Sequence, residues 1–260
     1  MNLKKYLKGL VHRFGYDVRK INNKNSLRIS LAQSYSLISL LGFKPQTVID
    51  VGVANGTQEL YEAFPDSYFL LIEPLNDFEP QLQAILKRYR GSYILAAAGA
   101  DTGKVTFNVH QNHLAGSSLF KESMGVEADG REITVPMIKI DDVLLEKNLD
   151  GPYLIKVDVE GAELAVLDGA QKTLRKAEVV VLEVSLFYFR KGAPDLYDVL
   201  VYMKDRGFVA YDIILGWNRP LDNALGQVDI VFVKKNGQFR QDHSYSTLQQ
   251  MRELFPTKKV

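Results

Sequence analysis

"IKVDVEGAELAVLDGA", residues 155–170, sets an apolar run and two carboxylates directly against a glycine and a helix-spaced apolar series. The run from Tyr153 to Val157 is too short for a buried helix and fits a parallel strand. Beyond Gly161, Leu164, Leu167, Ala170 and Leu174 recur at helical spacing. In an α/β sheet such a strand-to-helix junction lies on the face where ligands bind. Asp158 and Glu160 therefore stand either at a reaction centre or at a helix cap, and position favours the reaction centre.

Working outward, the same alternation repeats. "TVIDVGVANGT" (47–57) reads as strand, tight turn and helix start, and "YFLLIEP" (68–74) as the next strand, closed by Pro74. "DFEPQLQAILKRY" (77–89) follows as a helix with Pro80 in its first turn. "SYILAAAGA" (92–100) reads as a third strand. "KVTFNVH" (104–110) and "EITVPMIKI" (132–140) alternate with period two and read as an inserted hairpin or extra edge. The polar segment between them, 111–131, is too long for an ordinary turn, so it is read as mobile surface or a lid. One helix is expected over "AELAVLDGAQKTL". "EVVVLEVSL" (178–186) reads as a central strand, "DLYDVLVYMKDRG" (195–207) as a helix, "FVAYDIIL" (208–215) and "QVDIVFVKK" (227–235) as strands, and "SYSTLQQMRELFP" (244–256) as a terminal helix. This rhythm predicts a doubly wound sheet with helices on both faces.

Composition removes several function classes. The 260 residues carry a net charge of +1, which gives no global electrostatic case for nucleic acid. The chain has no cysteine, so disulfides, thiolate catalysis and cysteine-bound zinc are excluded, and a reducing, cytoplasmic setting fits. The four histidines show no metal-binding spacing. Residues 1–28 are locally different, with eight Lys/Arg and one acid. Leu3, Leu7, Leu10, Val11 and Phe14 can share one face of a short amphipathic helix. That helix is read as packing on the domain or touching an anionic membrane or lipid-linked substrate peripherally.

The turn "DVGVANG" puts Asp50 at a strand end, Gly52 in the turn and Gly56 at the helix start. Glycines there permit tight dihedrals and close approach of a ligand. A dinucleotide fingerprint would need glycine where Ala54 stands, so the fit to a nicotinamide cofactor is imperfect. Glu73 ends the next strand, where an acid can accept hydrogen bonds from two ribose hydroxyls. Asp50 is expected to face the same crevice and hold an amino group, directly or through water. That pattern suits S-adenosylmethionine better than NAD. A nicotinamide-dependent oxidoreductase and a non-catalytic nucleoside-binding domain remain as alternatives.

Together, "VIDVGVANGTQELYEAFP" and "YLIKVDVEGAELAVLDGAQKTL" resemble the FkbM-type family of S-adenosylmethionine-dependent methyltransferases, over about residues 45–235. The resemblance implies a class I methyltransferase-like Rossmann fold. Its seven-stranded, mostly parallel sheet has an antiparallel last strand and carries the inserted hairpin. It also implies one methyltransferase domain over 41–260, after a basic helical extension over 1–40. The expected activity is methylation of hydroxyl oxygens, often on sugars or natural products. Carried over by position, Asp50, Gly52 and Gly56 look like the first cofactor motif, Glu73 the ribose acid, and Ala97 a wall of the adenine site. Where the family often has GANxG this chain has GVANG, so Ala54 occupies the Asn position and Asn55 follows it.

Direct displacement from a sulfonium requires an aligned hydroxyl and a base. Asp158, at the end of the fourth core strand, is the first candidate, with His113 of the long loop as another. Asp158 and Glu183 end neighbouring strands and are read as possible oxygen ligands to Mg²⁺. Glu160 is read either as catalytic or as an acceptor of backbone N–H groups that fixes the loop. Lys156, alternating with Asp158, is expected to pair with an acid in the helix layer. Ser117 and Ser118 offer hydroxyls to an acceptor, while Tyr188, Arg190, Trp217 and Asn218 form a candidate sugar platform.

Overall fold

Three strands are mostly apolar because both of their faces are covered. β1 (Thr47–Val51) and β7 (Tyr153–Val157) are buried along their whole length. β8 (Ala177–Ser185) is nearly so. This is the pattern of parallel strands enclosed by helices. The computed structural model describes residues 27–255, and in it these strands join β2 (Tyr68–Glu73), β3 (Gly91–Leu95), β9 (Phe208–Leu215) and β10 (Gln227–Lys234). The seven strands run in the order β3-β2-β1-β7-β8-β10-β9. β10 lies antiparallel to both of its neighbours and the others pair in parallel. The expected α/β architecture is the one observed.

Side-chain alternation divides two cores across the sheet. On one face Val48, Leu71 and Val181 pack with α1 (Leu31–Leu40), α2 (Gln58–Ala63) and α3 (Glu79–Leu86) through Tyr35, Leu60 and Leu82. On the other, Ile49, Ile155 and Leu182 meet α4 (Ile140–Glu146), α5 (Glu163–Asp168), α6 (Gln171–Lys176) and α7 (Leu196–Asp205). α1 buries Tyr35 and Ile38 in the same core as the sheet. The basic amphipathic stretch of residues 1–26 lies outside the described residues. A terminal helix, α8 (Leu248–Leu254), opens with a capping box built by Thr247 and Gln250.

The insertion forms its own layer. The expected strand 92–100 divides: β3 stays on the main sheet, and after Ala96 the chain enters β4 (Ala97–Ala98). β4 pairs in parallel with β6 (Arg131–Ile138), which pairs antiparallel with β5 (Gly103–Val109). The hairpin thus belongs to a separate three-stranded sheet. Its Phe107, Val109 and Val135 close a small core over Leu75, Phe78 and Ala97.

Two further departures have local causes. The strand expected through residue 140 stops at Ile138, and Ile140 opens α4, whose buried Ile140, Val143 and Leu144 keep helical spacing. The single helix expected after Gly161 is broken at Gly169. A Cβ there would stand 2.0 Å from the Gly99 carbonyl oxygen, so only glycine permits this close approach. Asp141 then caps the new helix start, accepting from the Lys172 and Thr173 N–H groups at 2.8 Å each.

Candidate active site

The sheet reverses direction of growth between β1 and β7, so the loops after these strands part and leave a crevice at their carboxyl ends. The two loops are fastened at its base. Gly52 has φ +77, and a Cβ on it would meet the Asp158 carbonyl oxygen at 1.8 Å. Its first task is therefore close contact between loops. The Asp158 N–H donates to the Val51 carbonyl (3.0 Å), and the Gly52 N–H to that of Ile72 (2.9 Å).

Three compartments open along this crevice. The first has apolar walls from Ile72, Leu75, Phe78, Ala97 and Phe107, with Glu73 at its edge. Glu73 is buried and already engaged, since Oε2 accepts from the Ala54 N–H (2.9 Å) and Oε1 from the Leu75 N–H (3.0 Å). Burial raises its pKa, against the pull of those two donors. Each carboxylate oxygen keeps a further lone pair for a ligand. Ala97 lines this cleft as expected, although it belongs to β4. Leu114, Ala115, Ser117 and Leu119 of the long loop supply the facing wall. That segment is thus a docked cover over the cleft.

The second compartment shares Gly52, Ala54, Ala115 and Asp158 with the first. Asn55 and Gly56 lie on its wall, with Glu59, Asp158, Glu160, Glu183 and Asp229 as its acids and Lys156 as a cation. Lys156 donates to Asp158 Oδ2 at 3.0 Å and stands 3.7 Å from Asp50. Burial works against its ammonium form, but the two aspartates outweigh it and raise its pKa. The expected partner in the helix layer is thus replaced by two acids on the sheet. Asp50 itself is fully buried and accepts from the Tyr61 hydroxyl (2.6 Å). It stands beneath the crevice floor, beside Lys156.

Glu183 and Asp229 are cross-strand partners on β8 and β10. Burial, together with Asp158, Glu160 and Asp229, pushes Glu183 up to about 10, and burial with Asp158 brings Asp229 to about 6. Glu183 also accepts from the Gln227 amide (3.0 Å). Sequence reading missed Asp229, for which the only signal was one acid within an otherwise apolar strand. The proposed Mg²⁺ site does not fit these residues: the Lys156 ammonium occupies one oxygen of Asp158, and among the described residues no group of three His, Asp or Glu side chains is placed to hold a metal.

The loop-anchoring role considered for Glu160 is taken by Glu163. Glu160 has φ +60 and Gly161 φ +104, and this left-handed pair turns the Glu160 carboxylate onto Arg190 Nη1 at 2.7 Å. Burial raises the Glu160 pKa, with Arg190 opposing. The loop anchor is Glu163, whose Oε1 accepts from the Gly161 (2.9 Å) and Val159 (3.4 Å) N–H groups. Burial pushes its carboxyl up to about 7.

The third compartment, about 880 Å³, shares Glu160 with the second. His113, Tyr188, Trp217 and Asn218 line it, as do Phe187 and Phe189. Arg190 does too, but it serves as a strap rather than the free donor expected: besides Glu160 it reaches the Gly116 carbonyl (3.2 Å) and Glu122 (3.5 Å). Ser118 is likewise committed, donating to the Glu160 carbonyl (2.7 Å) and accepting from the Phe120 N–H (3.0 Å). The Ser117 hydroxyl accepts from the His110 N–H (3.1 Å) and faces the first cleft.

An apolar slot edged by a carboxylate, opening into an acidic chamber, fits a nucleoside carrying a cationic tail, as S-adenosylmethionine does. Residues 50–210 match the family described as Methyltransferase FkbM domain. A search of curated proteins returned no match. Similar solved structures include a precorrin-6y C5,15-methyltransferase from Geobacter metallireducens GS-15 (12% identity, 82% of this chain and 95% of that one, TM-score 0.42). Magnesium protoporphyrin IX methyltransferase from Synechocystis PCC 6803 with bound SAM shares 10% identity, over 90% of this chain and 98% of that one, with a TM-score of 0.43. The N-methyltransferase NodS from Bradyrhizobium japonicum WM9 shares 9%, over 78% and 94%, with a TM-score of 0.44.

Proposed function

The chain belongs to the FkbM methyltransferase family, and from that premise we propose that it methylates a hydroxyl oxygen of a sugar or glycoconjugate. The observation that carries the reading is the continuity of three compartments, joined at Asp158 and then at Glu160. S-adenosylmethionine, when bound, supplies an electrophilic methyl group on its sulfonium. Ile72, Leu75, Phe78, Ala97 and Phe107 would hold its adenine, Glu73 its ribose, and the acids of the second compartment its cationic end.

Asp158 is the base of this reading. Its carboxylate is about one-third exposed, it stands at the junction, and Lys156 keeps it aligned on one oxygen. An acceptor entering past Glu160 would bring its hydroxyl to the free oxygen of Asp158, which would take the proton as the methyl carbon exchanges its bond to sulfur for one to oxygen. His113, which lies in the field of Glu160 on the acceptor side, is the alternative base. Tyr188 offers a face to a glycoconjugate's sugar ring, and Trp217 and Asn218 line the same compartment.

The proposal extends to setting. No helix of the described residues is long and apolar enough to cross a membrane. The basic composition of residues 1–28 supports peripheral contact with an anionic surface, and the lack of cysteine supports a cytoplasmic location. Family membership leaves the nicotinamide and non-catalytic alternatives without support. The test is a labelled-methyl transfer screen against glycosides, glycolipids and small hydroxylated metabolites, with the product position read by NMR. Label on oxygen is expected, and label only on nitrogen would overturn the assignment of the acceptor.

A further inference from the structure

The third compartment has a wall that is mostly hydrocarbon. Met124, Phe187, Tyr188, Phe189, Trp217 and Leu221 face it. Four of these remain open to solvent: Leu221 is 83% exposed, Met124 81%, Trp217 75% and Tyr188 60%. Large apolar side chains gathered at the mouth of a cleft, rather than scattered, mark a surface that is covered in use.

The charges on this wall say what can cover it. Arg190 is engaged by Glu160 and Glu122. Arg219 donates to Asp222 (2.7 Å) and lies flat on the Phe187 ring, 3.8 Å from its centroid. His110 faces Glu122 at 3.7 Å, and His113 lies in the field of Glu160. Both arginines on the wall are thus paired with acids and His110 faces one, so neither guanidinium is left over for a phosphate or carboxylate. Inward, beyond Glu160, the chamber is acidic and repels an anionic head further.

We propose that the acceptor is a neutral amphiphile. Its alkyl or acyl tail lies in the aromatic basin of Phe187, Trp217 and Leu221, and its hydroxylated head passes Glu160 to reach Asp158. The inference rests on the acceptor side assigned above and adds that a hydrocarbon tail supplies most of the acceptor's affinity. It holds whichever atom of the head receives the methyl group.

Trp217 is the chain's only tryptophan, so its fluorescence reports on this basin alone. The test titrates the full chain, with S-adenosylhomocysteine present, with methyl, hexyl and octyl glucosides below their micelle concentrations. Burying a methylene yields about a threefold to fourfold gain, so octyl glucoside should bind about tenfold or more tighter than hexyl, with a blue shift of Trp217. Leu221→Asp should flatten the chain-length series while S-adenosylhomocysteine affinity, measured calorimetrically, stays as in the parent. Equal binding of the three glucosides would overturn the proposal, as would equal or tighter binding of octyl sulfate. A response only to anionic phospholipid vesicles would mark the basin as a membrane-docking face, and would overturn it too. Failure of hydroxyl methylation appears separately, in the position of the transferred label.

Discussion

Replacing Glu163 by glutamine should raise stability, and only on the alkaline side. Both N–H groups that Glu163 receives, from Gly161 and Val159, point at the same oxygen, Oε1. A glutamine carbonyl can accept both, so Glu163→Gln keeps the loop anchored and removes only the charge. Burial pushes the Glu163 carboxyl from its ordinary 4.5 up to about 7. Because the folded pKa is the higher one, the stabilising contribution is full below about pH 4.5 and is lost as pH rises through 7. That interval converts to about 3 kcal/mol once the group is ionised in both states, less whatever the loop regains by admitting water. Urea unfolding at pH 5 and pH 8.5 measures it. Parent and variant should agree within about 1 kcal/mol at pH 5, and the variant should lead by about 2–3 kcal/mol at pH 8.5. Glu183 and Asp229 titrate in both proteins, so their contributions largely cancel in the comparison. A difference that does not vary with pH, or a parent that gains on the variant as pH rises, would refute the reasoning.

Other outcomes follow from the same contacts. Gly52→Ala places a Cβ 1.8 Å from the Asp158 carbonyl at φ +77, and should cost about 3 kcal/mol or more in thermal unfolding. Arg190→Ala strands the buried Glu160 carboxylate and unfastens residues 111–131. It should cost about 3–5 kcal/mol, and limited proteolysis should cut that segment faster. Asp158→Asn should lower methyl transfer by about 100-fold or more while S-adenosylhomocysteine affinity changes much less. Full activity in that variant would return the base to His113 or to another group.

The strands and their order of use were legible because parallel strands buried on both faces read as short apolar runs, as at Thr47–Val51 and Tyr153–Val157. Strand-end acids followed from the same reading, and so Glu73 and Asp158 stand on the crevice. What sequence could not convey was approach between distant segments. Gly169 looks like a tolerated helix glycine until the Gly99 carbonyl is seen against it. Glu160 and Glu163 lie within one helical turn in sequence, and the left-handed dihedrals at 160 and 161 decide which one meets Arg190 and which the backbone. Lys156 gave no sign of its partners because Asp50 lies on a different strand, paired with it only in register. Arg190 and Ser118 carry the right groups for an acceptor, yet the long loop has consumed them.

The cofactor cleft is the premise on which everything else rests, and one calorimetric comparison tests it. The parent and Glu73→Ala are titrated with S-adenosylmethionine and with S-adenosylhomocysteine, after circular dichroism shows both folded at the working temperature. Glu73→Ala frees the Ala54 and Leu75 N–H groups as well as the ribose partner, so its unfolding midpoint should fall too. The account predicts one-to-one binding of both ligands by the parent. It predicts an affinity loss of about 30- to 150-fold in the variant, the worth of one charge-assisted hydrogen-bonded pair. Unchanged affinity in Glu73→Ala would remove Glu73 from the site, and no binding by the well-folded parent would contradict the account as a whole.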